Sequence, residues 1–370
     1  MDRALLLSLF HDRRRQNIRV DLGQHVEPAT VIMTTKQTPI RSGFGATTTA
    51  REVLGNRRLD GITAVVTGGY AGVGLETARA LSKAGATVVV PARTRDKARA
   101  ALAGMDRVEV ESLDLFIPES IDAFAARFLA SNRALNILIN NAGIMAAPLA
   151  RNARGIESQL ATNHLGHFQL TARLWAALRK ARGARVVALS SRGHRIAAFD
   201  FDDPNFERRP YDKWIAYGQS KTANALFALA LDARGETDGI RAFSVHPGGV
   251  VTDLMRFMPE DEVRSAITAA EAIEPLKSTE QGAATSIWCA TSPQLDGMGG
   301  VYCEDCDIAA AVPADFPEPR GVRPWASDPV LAERLWKKSE EWTGVTLGNR
   351  PSSRPSSVTN SVEYIPPVLP

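Results

Sequence analysis

The sequence predicts an α/β fold: a doubly wound parallel sheet in one domain with N- and C-terminal extensions. Three observations predict it. Short apolar, β-branched runs recur along the chain, helical patterns of apolar residues separate them, and a glycine-rich turn joins the first run to the first helix. Strands that are apolar throughout belong to a sheet covered on both faces, and their alternation with helices makes that sheet parallel. Right-handed crossovers then put ligands beyond the carboxyl ends of the strands.

The elements follow in order. Ile62-Thr63-Ala64-Val65-Val66 is the first strand and stops at Gly68-Gly69. A helical pattern runs through Leu75, Ala78 and Leu81 and closes at Gly85, and Thr87-Val88-Val89-Val90 is the second strand. The cycle repeats at Val108-Glu109-Val110, Ile137-Leu138-Ile139, Val186-Val187-Ala188-Leu189 and Ala242-Phe243-Ser244-Val245. Towards the C-terminus, Asp328 as cap, Pro329 in the first turn and Gly344 as terminator bound a last helix, with Leu331, Leu335 and Trp342 facing the body. The reading divides the chain into an arm (1–59), a nucleotide-binding catalytic domain (60–312), a C-terminal helical extension (313–347) and a tail (348–370). The tail is rich in Ser and Pro and is expected to be disordered.

Composition bounds the function. With 370 residues, 44% hydrophobic and 23% charged, the chain is not disordered as a whole. No run approaches the roughly 18 apolar residues of a membrane span. Cys289, Cys303 and Cys306 are too few to staple a secreted scaffold, so a reducing, cytoplasmic setting is expected. Lys and Arg number 44 against 41 Asp and Glu, too even to argue for nucleic acid. The excess is local: residues 1–59 hold ten basic and five acidic side chains. An apolar run at 4–10 precedes Arg13-Arg14-Arg15 with no small-x-small cleavage site, so the arm reads as a partly disordered extension, with Met33 as an alternative start.

The first strand runs into Thr67-Gly68-Gly69-Tyr70-Ala71-Gly72-Val73-Gly74 and then a helix. Glycines there let backbone N–H groups approach an anion, and the helix N-terminus adds partial positive charge. Gly68, Tyr70, Gly72, Val73 and Gly74 are therefore candidate cofactor residues. An acid at the end of the second strand would bond the ribose hydroxyls of NAD. This chain has Pro91-Ala92-Arg93 instead, a guanidinium suited to a 2′-phosphate, which favours NADP(H) over NAD(H).

Four further features complete a pattern: Asn140-Asn141-Ala142-Gly143 after the fourth strand; Asn163 in Thr162-Asn163-His164-Leu165-Gly166-His167-Phe168; Ser190-Ser191 ending the fifth strand; and Tyr217-Gly218-Gln219-Ser220-Lys221 opening a helix. With T-G-x-x-x-G-x-G, the set resembles the short-chain dehydrogenase/reductase family over roughly residues 60–310, and a Rossmann fold is implied. The stretches around Asn163 and Ser191 are most similar to the retinol dehydrogenase and WW-domain oxidoreductase branch. No WW domain or membrane anchor accompanies them here, so a retinoid substrate is not implied.

The resemblance implies roles. Tyr217 would be the general acid/base. Ser191 would bond the substrate oxygen, while Ser190 bonds backbone. Asn163 would distort its helix and hold a water linking Lys221 to solvent, and Lys221 would also bond the nicotinamide ribose. Asp114, followed by Leu115, would accept from the adenine amino group. Asn141, Ala142 and Gly143 would line the adenosine. In Pro247-Gly248-Gly249-Val250-Val251-Thr252, Val250 and Thr252 would hold the carboxamide. No metal is required. Physics supports the central pair, because Tyr217 and Lys221 are four apart and share a helix face. A neighbouring ammonium is expected to lower a phenol that otherwise titrates near 10.

The reaction expected is the interconversion of a carbonyl and an alcohol on a small molecule. Two other readings remain, a non-catalytic nucleotide-sensing scaffold and a reductase of carbon–carbon double bonds. Family members often pair through helices, so a homodimer or homotetramer is expected. Specificity is assigned to two stretches. One holds Phe199, Phe201, Phe206, Tyr211 and Trp214; the other holds Leu254, Met255, Phe257 and Met258. Cys303-Glu304-Asp305-Cys306 is read as two reduced thiols in a late loop. His164 and His167 read as packed or hydrogen-bonded helix residues, and His194 reads as either a substrate contact or a loop hydrogen-bonder.

Overall fold

The computed structural model describes residues 35–347. One eight-stranded sheet organises it: β1 (Thr63–Val66), β2 (Thr87–Ala92), β3 (Val108–Ser112), β4 (Ile137–Asn140), β5 (Arg185–Leu189), β6 (Arg241–His246), β7 (Val301–Glu304) and β8 (Asp307–Ile308). The spatial order is β3-β2-β1-β4-β5-β6-β7-β8, parallel throughout except for the β7–β8 pair. The order reverses between β1 and β4, whose registers pair Val65 with Leu138. A crevice opens there at the carboxyl ends of the strands.

The helices are α1 (Ala50–Leu54), α2 (Gly72–Lys83), α3 (Arg95–Ala101), α4 (Pro118–Ala130), α5 (Ser158–Leu160), α6 (Gly166–Arg173), α7 (Trp175–Lys180), α8 (Lys213–Gly235), α9 (Glu260–Glu271), α10 (Thr279–Thr291) and α11 (Pro329–Thr343). Every residue of β1 and β4 is buried, which is why neither strand alternates. One face contributes Val65, Leu138 and Val186 to a core with Phe124, Phe168, Leu226 and Leu335. The other contributes Val66, Ile139 and Phe243 to a core with Leu81, Ile287 and Trp288. Each such large apolar side chain contributes roughly 1.5–3 kcal/mol through burial. No helix among the described residues is long and apolar enough to cross a membrane.

Four elements depart from expectation, among them α1, which lies within the stretch read as an arm and buries Ala50, Val53 and Leu54. β7 and β8 were not anticipated: Val301-Tyr302-Cys303-Glu304 is not an apolar, β-branched run like β1 and β4, and β8 has only two residues. The C-x-x-C sequence lies in this hairpin rather than in a loop: Cys303 is in β7, and Cys306 is in a turn with φ of +59° after Asp305 at +51°. All three thiols are free and buried, and burial pushes Cys306 up to about 12. α10 was also missed, although its capping box is written in the sequence as Ser278-Thr279-Glu280-Gln281.

The ends of the described chain tie onto the body. Gln37 Nε2 donates to the carbonyls of Tyr302 and Ala309 at 2.8 and 2.7 Å, and its Oε1 accepts from Tyr302 N at 2.9 Å. The Asp307 carboxylate accepts from Ile40 N and Arg41 N, both at 2.9 Å. Residues 1–34, with Met33 and the basic cluster, and the tail 348–370 lie outside the described residues. α11 forms as its caps dictate: Asp328 Oδ1 accepts from Val330 N and Leu331 N, and Gly344 at φ +67° ends it.

Candidate active site

The glycine turn closes on two other segments. A Cβ at Gly74 would fall 2.4 Å from the Gly68 carbonyl oxygen and 2.4 Å from Asn141 Nδ2, so only glycine fits. Gly72, at φ +50°, faces Thr252, with which a Cβ would collide. Thr67 organises the contact from beneath: its Oγ1 accepts from Asn141 N and Ala142 N at 2.9 and 3.0 Å, and its carbonyl accepts from Asn141 Nδ2 at 2.8 Å. Asn141 therefore braces the glycine turn with its side chain. Val73 meets Val250 across Gly282 of α10, and the Pro247 carbonyl lies on the same glycine. Gly248, at φ +93°, is backed by the Lys277 side chain. Tyr70 is half-buried beside the α2 core.

This cradle fits a dinucleotide. No side chain caps the N-terminus of α2, so its first N–H groups are left for a phosphate. Arg93, exposed at the end of β2, has no carboxylate partner among the described residues. Asp114 spends one oxygen on Phe116 N at 2.9 Å, leaving the other. Leu115 is buried, its carbonyl pressed against Gly166.

Four polar side chains gather beyond β4 and β5. Asn163 sits in a π-helical turn (Ala161–Leu165) between α5 and α6. Its Oδ1 accepts from Ile144 N at 2.8 Å, and its Nδ2 donates to the Ile144 carbonyl and to Ser220 Oγ, both at 2.9 Å. The Asn163 carbonyl accepts from His167 Nδ1 at 2.9 Å, and His167 Nε2 meets Thr67 Oγ1 at 2.9 Å. Because a carbonyl only accepts, His167 is protonated on Nδ1 and takes the Thr67 proton at Nε2. His167 thus links the π turn to the glycine turn. Burial holds it at about 4, in the neutral form this bridge requires. The i, i+4 spacing of Asn163 and His167 was a visible signal, but its meaning depends on the π turn.

Lys221 is buried in α8, and its Nζ donates to the Leu189 carbonyl at 2.9 Å. It lies 5.6 Å from the Tyr217 ring centroid. A Cβ at Gly143 would lie 3.6 Å from Nζ and 3.2 Å from Asn163 Oδ1, which brings the Asn141–Gly143 loop onto both. Ser190 Oγ donates to the Lys221 carbonyl at 2.7 Å. Ser191 caps a 3₁₀ turn (Arg192–Arg195), its Oγ accepting from Gly193 N at 3.0 Å. Gly193 lets the turn lie against Tyr217, since a Cβ there would fall 2.7 Å from Cε1.

The electrostatics correct one expectation. Burial pushes the Tyr217 phenol up to about 12, and only a hydrogen bond with the Ser191 side chain pulls it down. The ammonium does not dominate: Lys221 is itself desolvated, brought down to about 8, and turned toward Leu189. In this setting the phenol is the protonated partner at neutral pH.

The two specificity stretches behave differently. Phe199 and Phe201 pack edge to face at 4.9 Å, with Trp342 6.1 Å from Phe199. Phe206 packs on Tyr211, whose hydroxyl donates to the Ala147 carbonyl at 2.8 Å. These aromatics hold their own loop. In the second stretch Met258 is buried, but Phe257 is exposed. His194 is a loop hydrogen-bonder: Nδ1 donates to the Ser191 carbonyl at 2.8 Å, and Nε2 accepts from Arg323 N at 3.2 Å. A groove of about 490 Å³ along Ala311, Val312, Pro313 and Pro324 lies on the C-terminal extension; its one acid, Asp328, already caps α11.

The family described as short chain dehydrogenase matches residues 62–263. A protein of Streptomyces lividans described as "Probable oxidoreductase" is 46% identical over 290 residues, which covers 75% of this chain and 96% of that one. Retinol dehydrogenase 12 of Mus musculus is 37% identical over 300 residues, covering 78% and 89%. A crystal structure of an uncharacterised protein from Mycobacterium paratuberculosis superposes with a TM-score of 0.63 at 32% identity, covering 80% of this chain and 98% of that one.

Proposed function

The chain belongs to the short-chain dehydrogenase/reductase family and is an oxidoreductase; from that premise we propose that it interconverts a carbonyl and an alcohol with NADP(H), using Tyr217 as general acid and base. The observation that carries this reading is the convergence of Asn163, Ser191, Tyr217 and Lys221, from the π turn, the cap of the 3₁₀ turn and α8, beside the uncapped start of α2.

The cofactor would supply or accept the hydride. Gly68, Gly72 and the first turn of α2 would hold its diphosphate, and Arg93 would bond the 2′-phosphate in place of an acid. Ser191 Oγ would donate to the substrate oxygen as charge develops there. The buried phenol of Tyr217 would give its proton to that oxygen in reduction. Lys221 spends one N–H on Leu189 and keeps two, enough to bond a ribose and to return the proton. The π turn at Asn163, pinned by Ile144, Ser220 and His167, would hold the relay from Lys221 outward.

The raised phenol gives the two directions different pH dependences. Reduction uses Tyr217 as it stands at neutral pH, whereas oxidation needs the phenolate and speeds up toward alkaline pH. The test is an absorbance assay of NADPH consumption over aldehydes and ketones with the Tyr217→Phe variant beside the parent chain. The expected loss is on the order of 10²–10⁴-fold in kcat with NADPH affinity retained. Undiminished turnover in the variant refutes the mechanism, and a preference for NADH refutes the cofactor assignment.

A further inference from the structure

β7 and the 3₁₀ turn Arg192–Arg195 carry polar groups that this chemistry leaves unused. Tyr302 is 2% exposed, and its hydroxyl has no hydrogen-bond partner. Tyr302 and Glu304 are two apart on β7 and so share one sheet face. That face meets α8, where Tyr302 packs on Ala225, and the Tyr302 ring lies 4.9 Å from His194. Arg195 ends the 3₁₀ turn that begins at Ser191. Its Nε is buried without a partner, and among the described residues its guanidinium makes no ion pair. Leaving two buried donors unpaired is costly unless something else accepts from them.

The charges around this point are unequal. Arg192 pairs with Glu274 and donates its N–H to His246 Nδ1 at 3.2 Å. Arg323 is also buried and is satisfied by backbone, with Nη2 on the Phe316 carbonyl at 2.7 Å. The acids are Glu304, which accepts from Gly321 N at 2.7 Å and is pushed up by burial, and Asp305, which pairs with Lys277. Burial and the neighbouring Arg323 and Arg192 bring Arg195 down to about 10, so it remains charged at neutral pH. The result is one cation too many, two residues beyond the glycine that rests on the Tyr217 ring.

We propose that Arg195 and the Tyr302 hydroxyl, flanked by Arg192, bind the carboxylate of the substrate, and that the natural carbonyl substrates of this chain are oxo acids. The inference rests on the reductase reading for the word substrate, but the anion site itself does not. A carboxylate has the acceptors to take both a guanidinium N–H and a phenol O–H, and such charge-assisted bonds are the strong ones. A neutral ketone would leave the guanidinium unpaired.

The test is calorimetric titration of the full chain with a homologous series of oxo-carboxylates from levulinate upward, each beside its methyl ester. NADP⁺ is present, so that no carbonyl reduction accompanies binding. In the parent chain the best acid is expected to bind about tenfold or more tightly than its ester. Arg195→Met removes that preference, Arg195→Lys keeps part of it, and Tyr302→Phe reduces it severalfold. Thermal melting of each variant shows that it is folded. Equal affinity for acid and ester in the parent chain overturns the proposal, as does a preference that survives Arg195→Met. Tight binding of the acid without turnover under NADPH supports the anion site and refutes the reductase reading instead.

Discussion

α11 and α9 are both amphipathic surface helices, of 15 and 12 residues, yet the protein treats them in opposite ways. α11 is bolted down. Trp336 stacks on Phe227 and meets Phe168 edge to face, Leu335 is 1% exposed, Ser339 bonds His164, and Arg234 lies over the Trp336 ring while pairing with Glu333. α9 buries no residue at all. It is tethered by charge: Lys213 reaches Glu262 at 2.6 Å, and Arg192 holds Glu274 just beyond its end. The lesson is a division of labour. α11 supports α8, which carries Tyr217 and Lys221, and α8 cannot shift without losing the site's geometry. α9 only rests on Lys213 and Arg192, at the start of α8 and in the 3₁₀ turn beside the site.

The comparison breaks first if the two helices prove equally replaceable. Trp336→Ala should cost about 3–5 kcal/mol of stability, whereas Ile267→Ala in α9 should cost less than about 0.5 kcal/mol. Denaturant titration of both variants measures the gap, and similar midpoints would end the argument.

Acid sharpens it. Burial holds His164 at about 3 and both His167 and His194 at about 4; His164 bonds Ser339 of α11, His167 links the π turn to the glycine turn, and His194 bonds the Ser191 carbonyl. Their unfolded value is near 6.5, so their folded values are depressed. The stability they confer is complete above pH 6.5 and is lost as pH falls toward 4, by up to about 3 kcal/mol for each. α9 contains no histidine. Melting temperature should drop steeply across that window, and a flat profile would contradict the assigned protonation states.

Local opening gives a further test. Trypsin should cut after Arg264 in α9 well before Lys337 or Lys338 in α11, as read by mass spectrometry of timed digests. The smallest effect belongs to Glu262→Gln. It removes a partly exposed ion pair worth less than about 1 kcal/mol. Global melting should not move measurably, while the Arg264 cut accelerates severalfold.

What could be read from the sequence follows the range of the signals. The first six strands, the glycine turn, Tyr217–Lys221 and the caps of α11 depend on neighbours within a few residues, and each was legible. β7, β8 and the surroundings of Arg195 depend on residues far apart in the chain. Thr67 and His167 are 100 positions apart and touch. The direction in which Tyr217 shifts was illegible for a related reason: a charged neighbour can be counted from spacing, but the water excluded around it cannot. The aromatic loop before α8 looked like a pocket wall and is mostly its own scaffold, because aromatic content does not tell which way rings turn.

The Gln37 amide beside β8 has a consequence for crowding. A sheet whose last strand is two residues long offers raw backbone to any passing chain. Here Gln37 bridges Tyr302 of β7 and Ala309 just past β8, and the Asp307 carboxylate of β8 takes the N–H groups of Ile40 and Arg41, so residues 37–41 lie along that border. Another chain approaching that border therefore meets residues 37–41 before it meets the strand.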